Sequence, residues 1–219
     1  MFRLFNQLKP YLLGLAIIAG TSLHGHQAHA ATDSIVVAGG CFWCVEADFE
    51  KVKGVKEVTS GYAGGKTKNP TYKEVTRGGT GHYEVVKIDF DPSVITIDSV
   101  LHMFLRSVDP TDAGGQFCDR GESYRTAIFP NGAAQKSAAQ KAIKDAQSDL
   151  GQTVVTPIVT LGTFYEAEGY HQNYYKGDDI VLTRFGPRKQ SKAYELYRDA
   201  CGRDKRVKQL WGPAAPFAK

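Results

Sequence analysis

The stretch "GGCFWCV" (39–45) sets two cysteines three apart with a phenylalanine and a tryptophan between them. A CxxC spacing suits a soft-metal clip, a thioredoxin-like redox disulfide, or a single nucleophile that happens to have a cysteine neighbour. Two aromatic rings wedged between the thiols disfavour a metal loop. If Cys41 opens a helix straight after Gly39-Gly40, its sulfur lies among unpaired backbone N–H groups at the positive end of the helix dipole, which favours the thiolate. Cys118 and Cys201 complete the set of four cysteines. Taken without context, Cys44 reads as a buried inert thiol, Glu84 as an outward-facing strand carboxylate, and Asp119 as a turn acid. On the same terms, Tyr62 and Tyr124 read as half-buried strand aromatics and His171 as a candidate base for Cys41.

The elements that must position these groups are partly legible. "SIVVAGG" (34–40) is a short apolar run closed by glycines, and "CFWCVEADFEKV" (41–52) places Phe42, Val45, Phe49 and Val52 at helical spacing, so strand, Gly-Gly turn, helix is the simplest order. "VKEVTSGYAGG" predicts a second strand, and "HYEVVKIDFDP" (82–92) alternates until Pro92 stops it. Asp98 is positioned to cap a helix running to about Ser107, with Val100, Phe104 and Val108 on one face. "YRTAIF" (124–129) predicts a strand, an Ala-, Lys- and Gln-rich helix follows Asn131 or Gly132, and "VVTPIVTLG" (154–162) predicts a strand at an edge or bulge because of Pro157. A short helix over "SKAYELYRDACGRD" and a loose "GPAAPFAK" tail close the chain. Strands and helices mixed without a strict βαβ period predict an α+β sandwich.

At 219 residues and 42% hydrophobic, the chain suits one domain with its own core. Arg3 and Lys9 precede an apolar run from Tyr11 to Ile18, and small residues end in Ala28-His29-Ala30. That order predicts a secretory signal peptide over 1–30 and a single domain over 31–219, since the run is shorter than the roughly 20 residues a spanning helix needs. An exported, periplasmic protein is expected, and a membrane tether is the weaker alternative. The net charge of +4 argues against a nucleic-acid partner. The charge is uneven: from Thr183 to Lys219 ten Lys or Arg face only Glu195, Asp199 and Asp204, which predicts a solvated helical face. Four cysteines are few for a disulfide scaffold of this length, so they read as working thiols.

Five blocks, "GGCFW", "SGYAGG", "GHYEVV", "DRGESYRTAIF" and "YHQNYY", stand in the order found in the peptide methionine sulfoxide reductases of the A type, and the chain resembles that family from about Ile35 to Tyr175. The resemblance implies an α+β two-layer sandwich around a ferredoxin-like core of mixed sheet and helices, with a long irregular C-terminal segment. It implies a thiol-dependent reduction of methionine S-sulfoxide, free or in proteins, with no metal, flavin or nicotinamide, and with electrons from a thioredoxin-like donor; a monomer is expected. Cys41 matches the nucleophile that ends as a sulfenic acid. Glu84 matches the acid that supplies a proton to the sulfoxide oxygen. Tyr62 and Tyr124 match tyrosines that grip that oxygen, Asp119 matches an ordering aspartate, Phe42 and Trp43 match the wall of a methyl pocket, and His171 shapes the entrance.

Two residues depart from the commoner pattern: Cys44 stands where glycine is usual, and Cys118 directly precedes Asp119. Both bear on which thiol resolves the sulfenic acid. Cys201, in the C-terminal segment that family members use for this step, is the expected resolving cysteine, and Arg198, Arg203, Lys205 and Arg206 would raise its thiolate fraction. Cys44 and Cys118 stay open as alternatives, as do two other functions for the Cys41/Cys44 pair, a general thiol-disulfide oxidoreductase and a soft-metal carrier.

Overall fold

The structure is a computed structural model and describes residues 31–219; the expected signal peptide lies outside the described residues. Along β1 (Asp33–Gly39), Ile35 and Val37 face one way and Val36 and Ala38 the other, and all four are buried. A strand apolar on both faces must be covered on both. The chain continues through α1 (Phe42–Phe49), β2 (Val55–Ala63), α2 (Tyr72–Arg77), β3 (Tyr83–Phe90) and α3 (Ile97–Leu105). It then forms β4 (Gly115–Gln116), β5 (Asp119–Arg120), β6 (Thr126–Phe129), α4 (Ala133–Leu150) and β7 (Tyr165–Glu166). The hairpin β8 (Ile180–Thr183) and β9 (Gly186–Lys189), α5 (Gln190–Ala200) and α6 (Arg203–Trp211) follow, so the C-terminal segment is more regular than expected.

The main sheet has the order β6-β1-β3-β2-β7 with antiparallel ladders throughout. With α1 after β1 and α3 after β3, the order β6-β1-β3-β2 is the ferredoxin-like split arrangement. Phe42, Val45 and Phe49 of α1 join Leu101, Phe104 and Leu105 of α3 and the alanines of α4 in the main core, on the face that carries Ile35 and Val37. The other face, with Val36, Ala38, Val85 and Phe129, is covered by Val159, Leu161 and Phe164 from the irregular stretch before β7. Gly61 explains part of "SGYAGG": a Cβ there would lie 2.5 Å from the Phe164 ring, so only glycine lets that cover close on β2.

Four local expectations change. "VVTPIVTLG" forms a single parallel bridge, Ile128 with Ile158, in place of a strand; Ile128 N–H donates to the Pro157 carbonyl at 3.0 Å, and proline has no N–H to extend the ladder. The cap of α3 is Thr96, whose hydroxyl accepts Ser99 N–H at 3.2 Å, and Asp98 sits inside the first turn. The "GPAAPFAK" tail docks, with the Phe217 ring edge-on to Phe49 at 5.3 Å. Several cations of the basic C-terminal stretch also turn inward: Arg198 pairs with the buried Asp48 at 2.9 Å, and Arg206 with Asp109 at 2.7 Å. Among the described residues no helix is long and apolar enough to cross a membrane.

Candidate active site

Gly40 makes the turn from β1 into α1 at φ +78°, a conformation L side chains rarely adopt, and a Cβ there would meet Gln116 at 2.6 Å. Cys41 follows at φ −51°, ψ 117°, outside helical values, as the N-cap of α1; Phe42, Trp43 and Cys44 are therefore its first three helical residues. An N-cap side chain folds across the first turn toward the third helical residue. Here the Cys41 side chain makes no cap hydrogen bond; the Cys44 N–H donates to the Cys41 carbonyl at 3.1 Å, and the two thiols, three residues apart at the helix start, lie close enough to perturb each other.

Both cysteines are buried. Burial pushes the Cys41 thiol well above its usual range, and Cys44, Glu84 and Asp119 push the same way. The thiolate expected at a helix start is thus reversed for Cys41, because desolvation outweighs the dipole. Cys44 moves down instead, first through the hydrogen bond from Cys41 and then through Arg203 and Arg198. Those cations come from the C-terminal helices: Arg198 bridges Asp48 of α1 and Asp204 of α6, and Arg203, 2% exposed, donates to the Gly39 carbonyl at 3.1 Å. Arg198 and Arg203 therefore serve the α1 cysteines, and Cys201, the residue they flank in sequence, is bonded to Cys118.

Glu84 projects from β3 and is 2% exposed. Its Oε2 accepts the Phe42 N–H at 3.1 Å, and Tyr124 lines the same cleft. Burial, with Asp119 nearby, still pushes its pKa up to about 8, so the carboxyl holds a proton at neutral pH. Cys41, Phe42, Trp43, Tyr72, Glu84, Asp119, Tyr124 and Tyr197 line a cleft of about 80 Å³, the scale of a side-chain tip.

Tyr62 is not among these lining residues. It is cross-strand to Glu84, but its ring is fully buried and its hydroxyl donates to Glu168 Oε2 at 2.8 Å, while Glu168 Oε1 accepts the Tyr72 N–H at 2.9 Å. Tyr62 thus stands behind the cleft and, through Glu168, steadies the residue that enters it. Sequence reasoning missed two cleft residues, Tyr197 of α5 and this one, Tyr72. Its signal was "TYKE": Thr71 and Glu74 form a capping box at the start of α2, which leaves Tyr72 as the first helical residue. Tyr72 and Tyr124 line the cleft together, and burial with the nearby Glu84 pushes both hydroxyls above their usual range.

Asp119 accepts a hydrogen bond from the Tyr197 hydroxyl, and burial raises its carboxyl. Trp43 stacks on Tyr174 at 3.9 Å with its plane 7° away and meets Tyr197 edge-on at 6.3 Å. His171 lies behind this wall, 5.0 Å from the Phe42 ring and 4.4 Å from Tyr72. Burial pushes His171 down to about 4, so it is neutral, and it is not part of the cleft lining. Its segment is pinned from both sides: Gln172 accepts Ser60 N–H at 3.0 Å and donates to Ser60 O at 2.9 Å, and Asn173 N–H donates to the buried Glu46 of α1 at 2.7 Å.

Sequence and fold both liken this chain to known proteins. The family model described as peptide methionine sulfoxide reductase matches residues 33–211. A relative from Caulobacter vibrioides, peptide methionine sulfoxide reductase MsrA 2, is 43% identical over 203 residues, covering 92% of this chain and 96% of the relative. The MsrA of Bacillus subtilis is 44% identical, covering 80% of this chain and 93% of its own. Among solved structures, methionine sulfoxide reductase A of Corynebacterium diphtheriae superposes with a TM-score of 0.64 at 30% identity, covering 74% of this chain and 85% of that one. The reduced form of Mxr1 from Saccharomyces cerevisiae gives a TM-score of 0.63 at 32% identity, over 67% of this chain and 85% of that one. Fold, cleft and likeness agree, and the chain belongs to the A-type peptide methionine sulfoxide reductases, oxidoreductases that reduce methionine sulfoxide with protein thiols.

Proposed function

We propose that Cys41 attacks the sulfoxide sulfur, Glu84 protonates the leaving oxygen, and Cys44 resolves the sulfenic acid. The observation that carries this reading is the cleft itself: the buried Glu84, whose Oε2 accepts the Phe42 N–H at 3.1 Å, and Cys41 line it together, with the free, buried Cys44 three residues further along α1. As substrate enters, the Cys41 S–H proton passes to Cys44 and the Cys41 sulfur bonds to the sulfoxide sulfur. The S–O bond is neutral and its oxygen leaves poorly, so Glu84 gives it a proton while the Tyr72 and Tyr124 hydroxyls hold it. The methionine S–O bond breaks and the hydroxyl passes to the Cys41 sulfur as the Cys41–methionine S–S bond breaks in turn. Methionine departs as the thioether and Cys41 carries –SOH. The Cys44 sulfur then attacks that sulfur, its proton joins the hydroxyl as water, and a Cys41–Cys44 disulfide closes with Glu84 left as carboxylate.

Cys201 was the expected resolving thiol; its sulfur is bonded to Cys118, whereas Cys44 is a free cysteine beside Cys41 in the chain, which supports Cys44 in that role. A thioredoxin-like dithiol restores the pair, passing two electrons to the disulfide while solvent reprotonates Glu84. The cleft has three unlike sides, the nucleophile, the oxygen donors, and the Phe42–Trp43 wall for the methyl group, which suits one hand at sulfur; the family resemblance points to the S epimer, in free methionine or in proteins. The order of charged, apolar and small residues over 1–30 supports export to the periplasm.

The test is a single turnover without reductant, followed by a 1,3-dione that traps sulfenic acid. Cys44→Ser forms one methionine per chain and is trapped at Cys41; Cys201→Ser closes its disulfide and escapes. The opposite pattern sinks the assignment of Cys44.

A further inference from the structure

Cys118 and Cys201 are joined across 83 residues of sequence, and each stands beside a residue of the cleft. Cys118 directly precedes Asp119 on the loop ahead of β6. Cys201 is the C-cap of α5, one turn beyond Tyr197, and its N–H donates to the Tyr197 carbonyl at 2.9 Å. The Tyr197 hydroxyl donates to Asp119, and its ring meets Trp43. The disulfide therefore closes a loop of contacts: Asp119 to Cys118, across the bond to Cys201, back one helical turn to Tyr197, and by hydrogen bond to Asp119 again. Cys118 is exposed, and a surface cleft of about 330 Å³ is lined by both cysteines together with Phe117 and Arg206, so a dithiol in solution can reach the bond.

We propose that Cys118 and Cys201 are positioning residues whose disulfide holds Asp119 against Tyr197 and so sets the substrate seat, without exchanging sulfur with Cys41. The proposal rests on Cys44 as the resolving thiol. Opening the bond takes one external dithiol: two electrons and two protons reach the protein, Cys118 and Cys201 become thiols, and the donor becomes a disulfide. A small-molecule disulfide reverses the exchange. With the bond open, Asp119 and Tyr197 keep only their hydrogen bond to each other; Arg198 still ties the last turn of α5 to Asp48, so it is the loop carrying Cys118 and Asp119 that can draw the aspartate away from the tyrosine. Substrate affinity then follows the redox state of a pair that takes no part in the chemistry.

The experiment is single-turnover kinetics without reductant on N-acetyl-methionine sulfoxide amide, with three preparations. These are wild type with Cys118–Cys201 closed, wild type fully reduced, and Cys118→Ser/Cys201→Ser. Opening or removing the bond raises the half-saturating concentration about three- to tenfold, what one hydrogen bond is worth, while the plateau rate changes less than about twofold. Tyr197→Phe raises it similarly when the bond is closed and adds little when it is open, the non-additivity of one coupled unit. Equal half-saturation in closed and reduced wild type overturns the proposal, and so do two methionines per fully reduced chain, which would make the pair an electron relay. Reduced wild type has the native sequence, so the comparison survives a double variant that folds poorly. Failure of the Cys44 assignment reads out separately, as a first disulfide other than Cys41–Cys44 in the closed preparation.

Discussion

Cys41 and Cys44 stand three residues apart with both side chains buried at the start of α1, whereas Cys118 and Cys201 are 83 residues apart and bonded where Cys118 is exposed. The first pair is held by local geometry, an N-cap and the third residue of its helix, and its proton sits where buried acids and arginines place it. The second pair is held only by tertiary structure, joining a loop to the end of a helix. The lesson is that the chemistry of a thiol follows its surroundings: the hidden pair is tuned to react with what enters the cleft, and the exposed pair is open to reductants and ties two segments together.

Breaking the contrast at its strongest point gives the largest effect. Cys41→Ser abolishes methionine formation in a single-turnover assay, while Cys118→Ser at saturating substrate still forms one methionine per chain; loss in both would erase the division of labour.

Glu84→Gln comes next, with the rate of reduction lowered about 10²- to 10⁴-fold, the usual worth of a positioned acid. The sign of its pH dependence follows from the upward shift: below about 8 Glu84 keeps its proton and can donate, and above it the donor is lost. Wild-type single-turnover rates therefore fall as pH rises through about 8, and the Gln variant lacks that limb. A wild-type rate flat to pH 10 would remove Glu84 as the acid.

Smaller effects sharpen the roles around the pair. Tyr72→Phe lowers the rate on the order of 10²-fold as an oxygen donor disappears, but Tyr62→Phe, acting through Glu168, changes it only a few-fold; equal losses would return Tyr62 to the cleft. The mildest consequence is on stability. Cys118→Ser/Cys201→Ser lowers the unfolding free energy by about 2–4 kcal/mol in urea titrations, in the range typical of a disulfide that closes a long loop.

Much of the fold was readable because burial imposes periods. Val36, Val37 and their neighbours predict a strand at β1, and Val100, Phe104 and Val108 predict α3, since each element must hide an apolar face. Pro157 was readable as a breaker, but that Val159 and Leu161 would cover the far face of the sheet as irregular chain was not, because no period marks such a segment. The site divides similarly. Motif order pointed to Cys41, Glu84, Tyr124, Phe42, Trp43 and Asp119, and the cleft gathers all of them. It misplaced Tyr62, since strand alternation says which face a side chain takes but not which partner its hydroxyl finds.

What the sequence determined by itself is local: a glycine turn into a helix whose cap is a cysteine, alternating strands, and a carboxylate on one of those strands. Such features depend on neighbours within a few residues, where backbone sterics and side-chain period decide. Only tertiary structure decided that burial would raise Cys41, that Arg198 and Arg203 would return from the far end of the chain to face Cys44, and that Cys201 would meet Cys118. Desolvation and Coulomb interactions depend on distance in space, and one chain length of sequence separation says nothing about that distance.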